Sequence, residues 1–514
     1  MSTVEGHHSK SQRIASNTIA LFLRMLVVTI INLYAVRLVL RGLGDMDYGI
    51  FKTIASVIAI STCISTTLSV AIQRFYSMAL GHQDPTEFNK IFSASINVVM
   101  GLSVVVVIIF ETIGLWFVNT HLVIPDDRMM AANWIYQLAL GVLLLSILQI
   151  PFMAAIFAYE SMGSYALISM LECLLKLGVA YLIAMATTDS LVFYSSGLLV
   201  VAVIIFLLYF LTARNKYKSC RYRKMNDRDM YRQLLSFSGW TLFGAIANVG
   251  LIQGSSILLD IFWGPLIVTS FGISLEINTA FSALSSSMVL SFRPAMIKAY
   301  AEKDTGYLDQ LFVACNKFII YVLAAAALPI IFEMDTILHL WLGKVSATTV
   351  LFARLIIFYI VIAALHNPIT IIMQASGHIK EYHLPVESVC LLSVPLTWLL
   401  FRLGCPTYSV FVSMILLCLL AHIVRVVCLS HFHATFSLSQ YLLHTICPSM
   451  LIILIGAMLT ACLHHVVDAS LPRLFIVGIL SPLSFLGIVF FIGLSRQERA
   501  LIRQFAVRKK GGGQ

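Results

Sequence analysis

Charged and amide side chains inside long apolar stretches are the residues of this sequence that could do chemistry. Arg24 and Asn17 lie seven residues apart on one helical face of the first apolar stretch, and Arg37 lies near its far end. A charge at the middle of a bilayer costs about 2.5–3.5 kcal/mol on insertion scales, so a retained one usually faces a cavity or a partner. These three residues are therefore candidates for binding an anionic substrate group.

A second polar set follows in the next apolar stretch. At 100° per residue its members fall within one narrow stripe of a helix. The stripe consists of Lys52, Ser56, Cys63, Thr67 and Arg74. It is too polar for a buried core and suits the wall of a water-filled cavity, where Lys52 would bind substrate. Arg74, at the end of the stretch, is typical of a basic residue that anchors a helix at the membrane surface.

Acidic residues inside other apolar stretches could bind a coupling cation, H⁺ or Na⁺. The candidates are Glu111, Glu172 and Glu276, and Asn278 lies close to Glu276 near the centre of the same stretch. Glu276 and Asn278 are also candidates for substrate binding. For Glu172 a simpler interpretation stays open, because Lys176 lies one helical turn further on and could neutralise it.

Helices must position these residues, since the chain consists almost entirely of apolar stretches joined by short polar segments. Hydrophobic residues make up 59% of the 514 residues and charged residues 11%, against about 25% charged in soluble domains. A helix needs about 20 apolar residues to span a hydrocarbon core. We therefore predict an all-α polytopic membrane protein with about fourteen transmembrane helices. They are predicted near residues 14–40, 48–72, 91–119, 130–158, 163–186, 190–212, 234–263, 265–292, 309–333, 346–373, 382–401, 407–429, 440–467 and 471–495.

The distribution of basic residues predicts the orientation of these helices. Of the 34 Lys and Arg residues, eight fall within residues 214–232 and six in the tail from Arg496 onward. Cytoplasmic loops of membrane proteins are enriched in Lys and Arg. With both termini in the cytoplasm, the cytoplasmic segments hold 22 basic residues and the outer loops six. Clustering beside apolar spans also argues against nucleic-acid binding, despite the net charge of +10.

Two pairs of residues suggest an internal duplication. Pro151 and Tyr165 bracket the junction of the fourth and fifth spans, and Pro368 and Tyr382 bracket that of the tenth and eleventh, each offset by 217 residues. Chance is the alternative, because proline is common in membrane helices. A duplication places the substrate path between the repeats. It predicts an N-terminal six-helix lobe (1–212), a basic cytoplasmic linker (213–233), a C-terminal six-helix lobe (234–429) and a terminal helix pair with a basic tail (430–514).

The sequence gives no sign of an enzyme or a bound cofactor. It contains no Walker A, HExxH or GxSxG motif, and its ten cysteines form no CxxC pair. We therefore predict neither a metal site nor a disulfide framework. A membrane-embedded glycosyltransferase or ligase is a third functional class, but it would need a sizeable outer loop to hold its acceptor. The predicted outer loops are short.

Five segments, taken together and in this order, resemble the polysaccharide and oligosaccharide flippases. The superfamily of these flippases also contains the multidrug and toxin extrusion carriers and the lipid II flippases. The resemblance extends over residues 12–495. The segments are RLVLRGLGDMDYGIFKTIASV (37–57), FSGWTLFGAIANVGLIQGSSILLDIFWG (237–264), RPAMIKAYAEKD (293–304), ILHLWLGKV (337–345) and QASGHIKEYHLPVE (374–387).

The resemblance implies two six-helix lobes in a V, with further helices at the end. It also implies transport of a polyprenyl-pyrophosphate-linked oligosaccharide across the bacterial inner (cytoplasmic) membrane, by alternating access, for surface polysaccharide assembly. Membrane lipids and a polysaccharide polymerase would be the partners. Arg24 and Lys52 match the cationic cavity residues of such flippases in kind and approximate helix.

The alternative within the same superfamily is a drug or cation antiporter. A net cationic cavity favours the flippase. A net anionic cavity, built on Glu111, Glu172 and Glu276, favours the antiporter.

Overall fold

The structure is a computed structural model that describes residues 2–81, 85–159, 161–186, 189–224, 227–432, 436–468, 471–494 and 499. Side chains are described from Val27 onward within these ranges, except at residues 66, 81, 85, 233, 235–244, 290, 291, 294, 301 and 379. The described chain is helical and contains no strand, which confirms the all-α prediction.

Twenty α-helices follow one another along the described chain. The first ten are α1 (Ser2–Ala59), α2 (Thr62–Gly81), α3 (Pro85–Ile109), α4 (Leu115–His121), α5 (Met129–Leu148), α6 (Ile150–Ala158), α7 (Met162–Leu182), α8 (Ser190–Lys216), α9 (Arg228–Trp263) and α10 (Pro265–Ala301). The others are α11 (Thr305–Phe332), α12 (Met334–Leu342), α13 (Ala347–Ala364), α14 (His366–Ser376), α15 (Ile379–Leu391), α16 (Ser393–Arg402), α17 (Ser409–Phe432), α18 (Leu438–Tyr441), α19 (Cys447–Val466) and α20 (Leu471–Ile488).

Thirteen helical segments of the described chain are long and apolar enough to cross a membrane. About fourteen were predicted, and the difference falls on the second predicted span, residues 48–72. The end of α1 and the separate helix α2 share that stretch, and α2 is not among the thirteen. The reason is the composition of α2, which carries several Thr and Ser residues as well as Gln73 and Arg74. The chain is a multi-pass membrane protein.

Gly44 divides α1 into two helical stretches. Its backbone has φ 79° and ψ 170°, a left-handed conformation that glycine adopts without the steric cost of a Cβ atom. The kink lies between residues 40 and 48, where the sequence predicts the first span to end and the second to begin. The polar seam of the second span therefore starts directly after a bend in the backbone.

The prolines of the predicted duplication occupy similar places in the structure. Pro151 lies in the first turn of α6 and Pro368 in the first turn of α14, each directly after the end of a long helix. Proline is tolerated in a first turn because the amide it lacks has no partner there. The duplication and its lobe boundaries stay a prediction.

The contacts divide the chain into two compact units. Unit 1 comprises Met1–Ile273 and Glu387–Ser413, and unit 2 comprises Ser274–Val386 and Met414–Gln514. The core of unit 1 is rich in aromatic rings; Tyr76 lies 4.8 Å from Phe88, and its hydroxyl lies 2.5 Å from the hydroxyl of Ser95. In unit 2, α11 packs against α19 and α20 through small and large apolar side chains.

Many exposed side chains are large and apolar. Val104, Ile108, Trp116, Leu443 and Phe475 are all more than half exposed. In water such side chains would form an extensive apolar surface, which soluble monomers rarely carry. In a bilayer they contact lipid tails, as the composition predicts.

Candidate functional site

Within unit 1, part of α1 packs closely against the end of α9 and the start of α10. A methyl group added at Gly49 would overlap the carbonyl oxygen of Pro265. Small residues allow membrane helices to approach this closely. We call the contact between residues 45–56 and residues 256–272 the α1 seam.

Hydroxyl groups join the two sides of the α1 seam. The hydroxyl oxygens of Ser56 and Ser256 lie 2.9 Å apart, within hydrogen-bond distance, and the Thr269 hydroxyl donates to the carbonyl oxygen of Asp45 at 2.6 Å. Hydrogen bonds between membrane helices are individually modest, because the separated helices find other partners. The seam therefore combines close backbone packing with a few hydroxyl contacts.

Asp260 is a fully buried carboxylate in the α1 seam. One of its oxygens accepts a hydrogen bond from the Thr53 hydroxyl at 3.1 Å, and the other accepts one from the backbone amide of Val123 at 3.0 Å. These donors replace part of the water that a carboxylate loses on burial. An ionisable residue inside a membrane span is a functional candidate by default. Asp260 is not among the residues predicted from the sequence, although it is the single acid in the apolar run ILLDIFW (257–263).

Lys52 carries the amine of the α1 seam. The residue is half-buried, and a Cβ atom added at Gly272 would lie 3.2 Å from the Cγ atom of Lys52. The Lys52 Nζ atom lies 5.4 Å from the centre of the Tyr48 ring, and the negative face of an aromatic ring attracts a cation. Gly272 thus leaves room for the aliphatic part of the Lys52 side chain, and the Tyr48 ring stabilises its positive charge.

Three other members of the predicted polar stripe form hydrogen bonds within their own helix. Ser56, Cys63 and Thr67 are buried and donate to backbone carbonyls one turn earlier, whereas Arg74 is exposed. Serine and threonine commonly bond in this way in helices. They therefore offer less hydrogen-bonding capacity to a cavity than the stripe suggests, and the water-filled wall stays a prediction.

Of the two other cations predicted to bind substrate, the structure describes the side chain of Arg37. Arg37 is half-buried and lies before the kink at Gly44, whereas Lys52 lies after it. Arg24 and Asn17 lie outside the residues whose side chains the structure describes. Their role in substrate binding stays a prediction.

Two of the predicted coupling acids have polar partners within unit 1. Glu111 accepts a hydrogen bond from the side-chain amide of Gln137 at 3.1 Å. Glu172 forms an ion pair with Lys176 at 2.6 Å, in agreement with the simpler interpretation of that pair. The described contacts of these two acids do not join them to each other, and a coupling role for either stays a prediction.

Glu276 and Asn278 both lie in α10, in its unit 2 part, and both are half-buried. Residues two apart do not face each other on a helix, so the two side chains point to different sides. The Oδ1 atom of Asn278 is buried and has no hydrogen-bond partner among the described residues. Such an amide oxygen is a candidate ligand for a cation or for a substrate hydroxyl.

In unit 2, basic residues of α19 and α20 contact a buried glutamate. Glu333 is 1% exposed, and its carboxylate lies 2.9 Å from Arg473 Nε in α20 and 2.8 Å from His464 Nδ1 in α19. The hydroxyl of Thr336 donates to it at 3.1 Å. Burial opposes ionisation of Glu333, but these hydrogen bonds and the charge of Arg473 lower its pKa overall. The ion pair fastens α19 and α20 to the end of α11.

Within the described ranges, no group of three or more His, Cys, Asp or Glu side chains is arranged to hold a metal ion. All ten cysteines are free thiols, and five of them are buried. None of them lies among the residues of the α1 seam.

Comparison with known proteins shows which solved structures share this fold. No family model matches the sequence, and no curated protein matches it significantly. Solved structures do match. The chain is similar to an inward-facing multidrug resistance MATE-family transporter of the MOP superfamily, with TM-score 0.65 and 14% identity over 82% of this chain and 100% of that one. It is also similar to the lipid II flippase MurJ in an inward closed conformation, with TM-score 0.67 and 12% identity over 93% of this chain and 99% of that one.

A third similar structure is a MOP-superfamily transporter from Pyrococcus furiosus, described as having a binding pocket of reversed polarity. Its TM-score is 0.57, with 14% identity over 82% of this chain and 96% of that one. At such identities the likeness establishes the fold. The chain therefore has the polytopic helical fold that MATE-family transporters share with the lipid II flippase, a fold of transporters and flippases in these structures.

Proposed function

We propose that this protein is a flippase that moves a polyprenyl-pyrophosphate-linked oligosaccharide across the bacterial cytoplasmic membrane for surface polysaccharide assembly. The observation that carries the proposal is the position of Lys52. Its amine lies in a helix that is apolar enough to span a membrane, beside a glycine and an aromatic ring. A diphosphate that leaves water needs cations to replace its hydration, and a half-buried lysine supplies one.

The α1 seam supports alternating access as the mechanism. Its two sides meet through Gly49, through hydroxyl pairs and through Asp260, so a few modest contacts hold it closed. We infer that the seam parts and re-forms in each cycle. Lys52 lies within the seam, so its amine would become more accessible when the seam opens, and closure would withdraw it again.

The similarity to the lipid II flippase also supports this substrate class. That structure covers 93% of the chain, whereas the MATE multidrug structure covers 82%. A flippase of lipid-linked sugars must accept a large head group while the lipid tail stays in the bilayer. Membrane lipids and a polysaccharide polymerase are the partners that such a function would require.

A drug or cation antiporter is the second candidate, and Asp260 is the observation that favours it. A fully buried carboxylate in a membrane helix suits exchange of a proton or sodium ion. The MATE-family structures with the same fold include a multidrug resistance transporter. In that function Lys52 would be dispensable and Asp260 would not.

The test is polysaccharide export in a strain that lacks this gene, complemented with variants of matched abundance. Lys52→Ala should lower export by about tenfold or more, because a hydrogen bond to a charged group contributes about 1.5–3 kcal/mol. Lipid-linked intermediate should accumulate on the inner leaflet. Lys298→Ala is the control, because Lys298 is an exposed lysine in a weak surface pair with Glu302.

Drug susceptibility in the same strains separates the two candidates. Export that is lost with Lys52→Ala, with unchanged drug resistance, supports the flippase. If Asp260→Asn keeps normal export but loses drug resistance, the result would support the antiporter and contradict the proposal that the substrate is a lipid-linked oligosaccharide.

A further inference from the structure

Two histidines stack on each other inside the membrane helices of unit 2. The rings of His366 in α14 and His422 in α17 have centroids 5.4 Å apart and planes inclined by 19°. Both residues are half-buried and lie in segments apolar enough to span a membrane. Two protonated rings at this distance would repel each other, so the pair can readily hold only one proton at a time.

A buried guanidinium lies beside the histidine pair. Arg425 is 9% exposed and interacts electrostatically with both rings. Its Nε atom donates to the Tyr382 hydroxyl at 3.1 Å, and that hydroxyl lies 2.7 Å from the hydroxyl of Thr370. The hydrogen bond to Tyr382 orients the guanidinium, because it fixes one edge of the planar fork.

Further polar groups close the site. The Tyr441 hydroxyl lies 3.3 Å from His422 Nε2, and the Cys418 thiol lies 3.7 Å from His366 Nε2. Phe312 of α11 packs against the Tyr441 ring. The titratable and charged groups that these contacts place around the pair are thus Tyr382 from α15, Cys418 and Arg425 from α17, and Tyr441 from the short helix α18.

One imidazole nitrogen lacks a partner within the described chain. His422 Nδ1 is buried and makes no hydrogen bond to any described residue, although His422 Nε2 has Tyr441. Buried polar atoms in proteins are normally hydrogen-bonded, so an orphaned one calls for an explanation such as an ion or a water. In a membrane helix the need for a partner is stronger, because lipid supplies none.

We propose that His366, His422 and Arg425 form a binding site for one small anion inside unit 2, and that the histidine pair takes up a proton when the anion binds. The groups that converge there are hydrogen-bond donors: a guanidinium, imidazoles and phenols. A bound anion would accept a hydrogen bond from the Nδ1–H group of His422 and so give that atom a partner. It would also offset the repulsion between Arg425 and a protonated ring.

Proton and anion binding must then favour each other equally. If the anion raises the proton affinity of the pair, protonation raises the affinity for the anion by the same factor. Anion binding should therefore tighten as the pH falls, by up to about tenfold per pH unit for one linked proton. The ligand chemistry is that of a halide or a single phosphate oxygen, and the inference does not depend on the transported substrate.

The experiment uses the purified full-length chain in detergent and titration calorimetry with sodium bromide, sodium phosphate and sodium pyrophosphate. Titrations in buffers of different ionisation enthalpy measure the protons taken up. We expect saturable binding of at least one probe, tighter at lower pH, with about one proton bound per anion. Bromide binding alone identifies a halide site, and phosphate or pyrophosphate binding identifies a site for a phosphate group.

Variants locate the binding. His422→Gln should weaken anion binding at least tenfold and abolish the proton uptake. The control His444→Gln should change neither, because His444 is an exposed histidine that contacts the carbonyl of Gln440. Arg425→Lys should retain part of the affinity, and Tyr441→Phe should shift the pH dependence, because it removes the hydroxyl at His422 Nε2. Three results would overturn the proposal: no saturable binding of any probe, binding without proton uptake, or equal losses in His422→Gln and His444→Gln.

Discussion

The carboxylate of Asp260 accepts a hydrogen bond from the hydroxyl of Thr53 at 3.1 Å, although 207 residues separate them in the chain. The same carboxylate also accepts a hydrogen bond from the backbone amide of Val123. One buried side chain thus ties the end of α9 to α1 and to the segment before α5. A carboxylate suits this position because both neighbours are donors.

Asp260→Asn should destabilise unit 1. The Oδ1 atom of the new amide can still accept from the Val123 amide, but its NH2 group would face Thr53, whose hydroxyl would have to turn from donor to acceptor. We expect a loss of about 1 kcal/mol in the free energy of unfolding, because hydrogen bonds to a charged group contribute about 1.5–3 kcal/mol and those between neutral groups about 0.5–1.5 kcal/mol. Thermal unfolding of the purified protein, compared with Asp126→Asn at an exposed carboxylate, measures it. Equal midpoints for the two variants would show that Asp260 does not fasten the seam.

The sequence predicted much of the helical framework and less of the site. The apolar stretches and the break near Gly44 depend on local composition and backbone geometry, which a linear reading detects. Asp260 and Thr53 meet only after α1 and α9 have packed, so no spacing rule connects them. The pair Glu172 and Lys176 was predictable because both residues lie on one helical turn.

Gly49→Ala should disturb the α1 seam more than a glycine substitution elsewhere. Its new methyl group would overlap the backbone of Pro265, which cannot rotate away as a side chain can. Overpacking of this kind costs about 1–3 kcal/mol. The control is Gly101→Ala in α3, where an added Cβ atom meets nothing within 4 Å. We expect a lower unfolding midpoint for Gly49→Ala alone, and a shared decrease would place the cause outside the seam.

The Glu333 ion pair should stabilise the protein above the ordinary pKa of a glutamate and lose that contribution in acid. The pKa of Glu333 is lowered in the folded state, so the unfolded chain takes up the proton first as the pH falls. The stabilisation is therefore complete above about pH 4.5 and disappears as the pH falls through the folded pKa. Glu333→Gln should lower the stability at neutral pH and flatten this acid dependence.

Asp335→Asn is the matched control for Glu333→Gln. Asp335 is an exposed acid two residues away, with His339 at 3.8 Å. Its variant should keep the acid dependence of the native protein. Unfolding midpoints measured across the acid range compare the two, and identical profiles would mean that the buried ion pair does not control acid stability.

A reporter fused after Tyr222 should read cytoplasmic, and one fused at Thr188 should read external. The reason is the cluster of eight basic residues within 214–232, since such clusters are retained on the cytoplasmic side. Alkaline phosphatase and green fluorescent protein fusions at both sites report the two sides independently. An external signal at Tyr222 would invert the orientation of every helix.

Arg24→Ala should stop the export of surface polysaccharide while the protein stays in the membrane, and lipid-linked intermediate should accumulate on the inner leaflet. Arg24 lies inside the first predicted span with Asn17 on the same face, so we expect it to add a second cation to that of Lys52. Arg24→Lys should retain part of the activity, because lysine keeps the charge but lacks the fork that matches phosphate oxygens. Export assays with protein abundance measured alongside test both variants. Full export with Arg24→Ala at normal abundance would remove Arg24 from the mechanism and leave Lys52 as the cation to examine.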